Sequence, residues 1–302
     1  MIMINGCVKY VRTDLACESG RIDPENYVHA KYSRRDADGV TVERLSVGDD
    51  EGERETGKRK GTYVTVSNVD LKGSPDGLGA ASSAVSEELR TMIVRAIGKE
   101  IAPETSVLVA GLGNRHVTPD ALGARCADKI NATRHVMGKY GVFRELGCSS
   151  VSIVAPGVLA ETGIESSELI KGAADRVSAD LVIAIDAMAA RKVSRLATTI
   201  QISDAGISPG RGIGNRRPAL DRETLGRPVI SIGSPTVVDS ATLVYDALEQ
   251  AGADCVTPEL ERILDEGKSF FVSPNDSDVL IERLSDVISS AVNRSLGTSF
   301  SE

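Results

Sequence analysis

Two aspartates occupy positions that solubility does not explain. Asp186 closes the run "LVIAID" after five apolar residues and is followed by Ala187, Met188 and Ala189. A carboxylate in such a setting is costly unless it is paired or reactive, so the position reads as functional. Asp120 lies in "LVAGLGNRHVTPDALG", just after a glycine turn. The order Thr118-Pro119-Asp120 fits a helix start, with Thr as N-cap, Pro at the first helical position and an acid in the first turn. Two roles stay open for Asp120: an acid serving the helix dipole, or a reacting carboxylate. If both aspartates share a site, their surroundings suit acid–base work. A helix N-terminus keeps Asp120 ionised to activate a water, while apolar neighbours raise the pKa of Asp186, which supplies a proton.

Other polar residues have local explanations as well as functional ones. Asn114 and His116 flank Asp120. Glu165 fits a capping box with Thr162, and Asp239 reads as a first-turn acid. The loop "SDAGISPGRGIGNRR" (203–217) follows a strand and ends in Arg216 and Arg217, and long loops in that position often wall a site. Gly111-x-Gly113 lacks the third glycine of a dinucleotide loop and any Walker lysine, so a phosphate- or nucleotide-binding module is the weaker use of this turn. Five cysteines without a Cys-x-x-Cys pair read as reduced, small hydrophobes. A Cys126–His116 dyad has little behind it, and there is no Gly-x-Ser-x-Gly elbow. One histidine among scattered acids is a poor metal set. No metal or cofactor is expected.

Elements must bring these residues together. "SVLVAG", "SSVSIVAPG", "ADLVIAID", "TTIQIS" and "RPVISIG" are short Val/Ile-rich runs that read as buried parallel strands of an α/β protein. Ligands in such sheets bind beyond the carboxyl ends of the strands. "AVSEELRTMIVRAIGKEI" predicts a helix from about Ser82 burying Val85, Leu89, Met92, Ile93, Ala96 and Ile97. "SDVLIERLSDVISSAVNRSLG" predicts another, with Val279, Leu280, Leu284, Val287, Ile288 and Leu296 inward. Before them, "GVTVERLSV" and "GTYVTVSNV" alternate as a half-exposed hairpin, "GDDEGERETGKRK" reads as a solvated turn, and 72–80 reads as loop. The division is a β-rich region with a charged hairpin over 15–80 and an α/β core over 81–302.

Composition narrows the class. With 302 residues, net charge −8, 3% aromatics and no tryptophan, the chain lacks the basic groove and stacking platforms of a nucleic-acid binder. No apolar run approaches a membrane span, and the N-terminus lacks a signal-peptide pattern. A cytoplasmic protein is expected.

Taken together, "YVRTDLACE", "GLGNRHVTPDALG", "APGVLAETGIESSELIKG", "ADLVIAIDAMAARKVSRLATTIQISDAGISPGRGIGNRR" and "RPVISIGSPTVVDSATL" resemble the germination protease family, in order and over essentially the whole chain. The resemblance implies a three-layer, mostly parallel sheet similar to that of hydrogenase maturation endopeptidases, with the β-rich region as an N-terminal elaboration. It implies an atypical aspartic-type endopeptidase whose essential carboxylates fall on Asp120 and Asp186. The implied substrates are the small acid-soluble proteins of spores, and the implied assembly is a homotetramer in the spore cytoplasm. It further implies a zymogen that clips off a pro-segment, residues 1–14, between Asp14 and Leu15. "Thr13-Asp14-Leu15-Ala16-Cys17-Glu18" shares the substrate order of small or hydroxyl residue, acid, apolar, Ala, small, acid. Asn114, His116, Glu165, Arg216 and Arg217 are candidates for the substrate groove. Arg115 and His116 depart from the aromatic and Asn expected of the family, which bears on loop shape and specificity. A hydrogenase-maturation-like, metal-dependent peptidase is the alternative within the enzyme class, and it needs His116 or Glu168 near both aspartates.

Overall fold

The computed structural model describes residues 2–4, 7–9, 12–19, 23–71, 75–137, 141–210, 217–253, 257–266 and 270–299. Its strands are β1 (Ile2–Ile4), β2 (Cys7–Lys9), β3 (Ala30–Ala37), β4 (Val40–Val47), β5 (Gly61–Ser67), β6 (Ser106–Gly111), β7 (Ser150–Val154), β8 (Leu181–Ala190), β9 (Thr199–Ser203), β10 (Val229–Asp239) and β11 (Phe271–Val272). β1 and β2 form a separate hairpin, and the others make one nine-stranded sheet in the order β3-β4-β5-β9-β10-β8-β6-β7, with β11 on β10.

The sheet is mixed. β10, β8, β6 and β7 run parallel. β9 pairs antiparallel with both β10 and β5, so "TTIQIS" is not the parallel strand its composition suggests. Apolar content reports burial on both faces and carries no information on strand direction. The β-rich region joins the same sheet through β5 on β9. β5 is buried nearly throughout, more than a half-exposed hairpin strand, because β9 covers its outer edge.

Alternation along the central strands feeds two cores. Val107 and Val109 of β6 and Leu181, Ile183 and Ile185 of β8 face the helices Pro75–Ile97, Leu122–Lys129 and Ser277–Ser295. Leu108, Ala110, Val182 and Ala184 face the helix Ser166–Val177. That is the expected three-layer α/β arrangement. Val85, Leu89 and Ile93 are fully buried, each stabilising by about 1.5–3 kcal/mol.

Three local expectations change. The long helix begins at Pro75, inside the stretch read as loop, since proline is well tolerated at a first helical position. Val279 is exposed and Ile281 is buried in its place, because the buried face runs through Leu280, Ile281, Leu284, Val287 and Ile288 and, at about 100° per residue, leaves Val279 on the outer side. The charged "solvated turn" holds a helix, Asp50–Thr56. Asp49 caps it by accepting from the Gly52 N–H at 2.8 Å, and Gly57 ends it at φ 68°.

Candidate active site

The central feature is the edge of β8 that β6 leaves open. β6 pairs with β8 only as far as Gly111 opposite Ile185, and Leu112 N–H adds one further bond to the Ile185 carbonyl at 2.8 Å. Asp186 is the next residue. It therefore lies beyond the carboxyl end of β6 although its own strand continues to Ala190, which corrects the expectation that it ends a strand. Its side chain shares the face of Val182 and Ala184, toward the Ser166–Val177 helix.

The turn after β6 returns Asp120 to this point. Thr118–Asp120 is a short 3-10 turn of its own with Val117 at its N-cap, and the Leu122–Lys129 helix follows. Thr118 is not the cap expected from sequence, because Pro119 and the tight turn hold it inside the first helical positions. Gly113 adopts φ +91°, and an added Cβ would collide with the Asp120 carbonyl oxygen. An added Cβ on Gly123 would be driven into the Ile185 backbone. These glycines permit close approach of turn, helix and β8. The loop's backbone holds a carboxyl group, and that group is its own: Asn114 N–H donates to Asp120 Oδ2 at 2.7 Å.

Asp120 and Asp186 line one cleft of about 150 Å³ with Leu112, Gly113, Glu165, Pro209 and Arg217. Asp186 is 5% exposed. Burial pushes its pKa well above the usual carboxylate range, and the nearby Asp120 and Asp14 charges push it further. Asp120 is also raised by burial, against the Asn114 N–H and the Arg217 charge. The expectation that a helix terminus simply keeps Asp120 ionised thus needs correcting: desolvation outweighs those two influences. The asymmetry remains. Asp186 meets the deeper burial and the like charges of Asp120 and Asp14, so burial and charge together raise its carboxyl, whereas burial alone raises that of Asp120.

The other candidates divide. Glu165 and Arg217 face the cleft and form a 4.0 Å ion pair. Glu165 N–H donates to Glu168 Oε2 at 3.2 Å, so the box pairs Glu165 with Glu168 rather than with Thr162, which ends the preceding short helix. Asn114 stands behind Asp120. His116 is exposed, and its N–H donates to Asn114 Oδ1 at 2.9 Å. Neither His116 nor Glu168 lines the cleft that holds both aspartates. Arg216 lies outside the described residues. Asp239 caps the Ser240–Gln250 helix and meets Arg12 Nη1 at 3.1 Å. Cys126 is fully buried and burial raises its thiol pKa, the opposite of an activated nucleophile.

Residues 12–18 occupy the open edge of β8. Asp14 N–H donates to the Ala189 carbonyl and Ala189 N–H donates to Asp14 Oδ2, both at 2.9 Å. Glu18 accepts from Arg191 N–H at 2.7 Å, from Lys192 N–H at 3.0 Å and from Thr13 Oγ1 at 2.7 Å. Leu15 is 0% exposed among Met188, Ala190, Leu196 and Val238. Each acid and apolar position of the substrate-like sextet thus meets its own feature of the protein. Two residues that the sequence reading missed also touch this segment. Gln201, 3% exposed, accepts from Ala16 N–H at 2.6 Å and donates to the Asp14 carbonyl at 3.3 Å. Lys58 Nζ donates to the same carbonyl at 2.8 Å. A glutamine inside the apolar strand "TTIQIS" carries the same burial cost that singled out Asp186, and would have been found by that argument. Lys58 is hidden in a charge run, where nothing local distinguishes it.

Comparisons with known proteins bear on the family of this chain. Residues 16–251 match the model of the peptidase family described as germination protease. A germination protease from Caldanaerobacter subterraneus is 37% identical, over 100% of this chain and 98% of its own length. One from Clostridium perfringens is 38% identical over 91% and 85%, and one from Clostridium acetobutylicum is 36% identical over 95% of each. Among solved structures, the NiFe hydrogenase maturation protease HycI from Thermococcus kodakarensis matches at 18% identity over 63% of this chain and 94% of that one. Its TM-score is 0.33. The family match covers most of the chain, and the relatives match nearly end to end: this chain belongs to the germination protease family.

Proposed function

We propose that this peptidase is a self-processing endopeptidase in which Asp120 and Asp186 act on one water, and that its substrates are small acid-soluble spore proteins. The observation that carries the mechanism is the pair itself: two half-buried to buried carboxylates in one cleft, with different burial and both raised. In this reading Asp120 takes the proton of the attacking water and Asp186 gives its proton to the leaving amide nitrogen. Arg217 limits the repulsion between the two. The cleft lies at the end of β6, where α/β sheets place ligands.

The sextet at residues 13–18 supports the zymogen part of the reading. It has the order of residues expected of the substrates, and it is docked beside the aspartates on an open strand edge, a common way of holding an extended peptide. Residues 1–14 are the pro-segment of this proposal, with cleavage between Asp14 and Leu15. The setting is the spore cytoplasm and the assembly a homotetramer. Among the described residues, no helix is long and apolar enough to cross a membrane.

The test is to incubate the purified chain and follow its intact mass. Loss of the first 14 residues is expected, together with cleavage of an added acid-soluble spore protein. Asp120→Asn and Asp186→Asn should each abolish both. Self-cleavage in either variant at the unaltered rate would remove that aspartate from the mechanism.

A further inference from the structure

The interactions of the Asp14 carbonyl oxygen go beyond what docking the segment requires. Docking is already supplied by the paired bonds to Ala189, by burial of Leu15 and by the Glu18 carboxylate. Lys58 and Gln201 instead converge on one oxygen, that of the peptide bond between Asp14 and Leu15. Gln201 also holds Ala16 N–H, so a single side chain spans the two peptide groups on either side of Leu15.

Sheet register relates this pair to the aspartates. Asp186 on β8, Gly233 on β10 and Gln201 on β9 stand in one row. Directly paired residues present side chains to the same face, so Asp186 and Gln201 flank Gly233 at a spacing of roughly 9–10 Å, two strand separations. Gly233 has no side chain between them, and Met188 takes that space, its Cε 2.6 Å from where a Cβ would stand. A second cavity lies on this face. It is lined by Asp14, Lys58, Tyr63, Ala187, Met188, Gln201 and Ser208, among others, and two of these, Ala187 and Ser208, are chain neighbours of Asp186 and Pro209, which line the aspartate cleft.

From this placement we infer that Lys58 and Gln201 form the carbonyl-holding pair for cleavage of the Asp14–Leu15 bond, stabilising the oxyanion that forms there. The inference rests on the self-processing reading above. The step balances without an additional reagent beyond water. The water oxygen bonds to the Asp14 carbonyl carbon as its proton passes to Asp120, and the C=O electron pair moves onto the oxygen held by Lys58 and Gln201. Collapse of that oxyanion breaks the C–N bond, and the Leu15 nitrogen takes the proton from Asp186. The products are a carboxylic acid on Asp14 and an amine on Leu15, and nothing is oxidised or reduced. Donors aimed at such an oxygen typically contribute about 10²–10³-fold in rate each. The ammonium of Lys58 supplies charge, and the amide of Gln201 supplies a fixed direction from within a strand.

The experiment uses the full chain, with first-order self-cleavage followed by mass spectrometry in the wild type, Lys58→Met, Lys58→Arg, Gln201→Met and Asp186→Asn. Protection of the Ala189 and Arg191 amides is measured by hydrogen exchange in the same samples. Lys58→Met and Gln201→Met are expected to slow cleavage by about 10²-fold, with protection of both amides retained. Lys58→Arg is expected to recover most of the Lys58→Met loss. Cleavage of Lys58→Met and Gln201→Met at the wild-type rate, while Asp186→Asn is inactive, would overturn this inference and leave the aspartate mechanism standing. Slow cleavage accompanied by loss of amide protection would overturn it too, because the pair would then serve only to dock the segment. Cleavage by Asp186→Asn would instead count against the aspartate reading itself.

Discussion

Replacing Gly113 with alanine tests whether the glycine turn exists to deliver Asp120. The added Cβ would collide with the Asp120 carbonyl oxygen and stand 3.1 Å from both its carbonyl carbon and Oδ1. The obstructing atoms are backbone, so the Thr118–Asp120 turn must yield by something on the order of 1 Å. A misplacement of that size costs about 10²-fold in rate where geometry matters this much. The residue's φ of +91° adds about 1–2 kcal/mol of left-handed strain, and the overlap adds about 1–3 kcal/mol. Self-cleavage of the full chain should therefore fall by about 10²-fold, and the melting temperature should drop by several degrees, at roughly 2–4 °C per kcal/mol. Single-turnover mass spectrometry and calorimetry on the same sample measure the two effects separately. A variant that loses stability but cleaves at the wild-type rate would refute the reasoning, because Asp120 would then not depend on the turn.

Asp186→Asn should raise stability at neutral pH while abolishing cleavage. The folded-state pKa of Asp186 is raised, so its favourable contribution is complete below the usual aspartate range and is lost as pH rises through the folded value. The variant should melt higher by about 2–4 °C for each kcal/mol recovered, with the gap closing on acidification. A gap that widens toward acid would contradict the raised value. Arg217→Met should move both limbs of the pH–rate profile to higher pH. Arg217 lowers the pKa of Asp120 and of Asp186, so without it Asp120 ionises later and Asp186 holds its proton longer. Unmoved limbs would exclude Arg217 from the electrostatics of the pair.

Much of this architecture is local information. The apolar runs mark β6, β7, β8, β9 and β10 because buried strands need continuous Val and Ile, and the helices around Leu89 and Leu284 show their 3.6-residue period directly. Strand direction is different. β9 has the composition of its parallel neighbours and runs opposite to them, because direction depends on the connection and not on which residues are buried. The charged segment misled for a related reason: its acids and bases are suited to water, yet Asp49 caps a helix and Lys58 reaches inward to a carbonyl contributed 44 positions earlier in the chain.

By itself, the sequence singled out Asp186, since a carboxylate after five apolar residues carries a burial cost that a surface acid does not. It also carried the family, through motifs spread over the whole chain. Asp120 stayed ambiguous at that level, because a first-turn acid and a reacting acid look alike in one dimension. Only the tertiary structure decided how the groups meet. β6 stops one residue short of Asp186, Gly113 and Gly123 let the next turn fold back against β8, and the freed edge takes up residues 12–18. Register then sets Gln201 across Gly233 from Asp186. Those relations bring residues tens to almost two hundred positions apart into contact or within about two strand separations of each other, and the sheet that creates them exists only when the whole chain is folded.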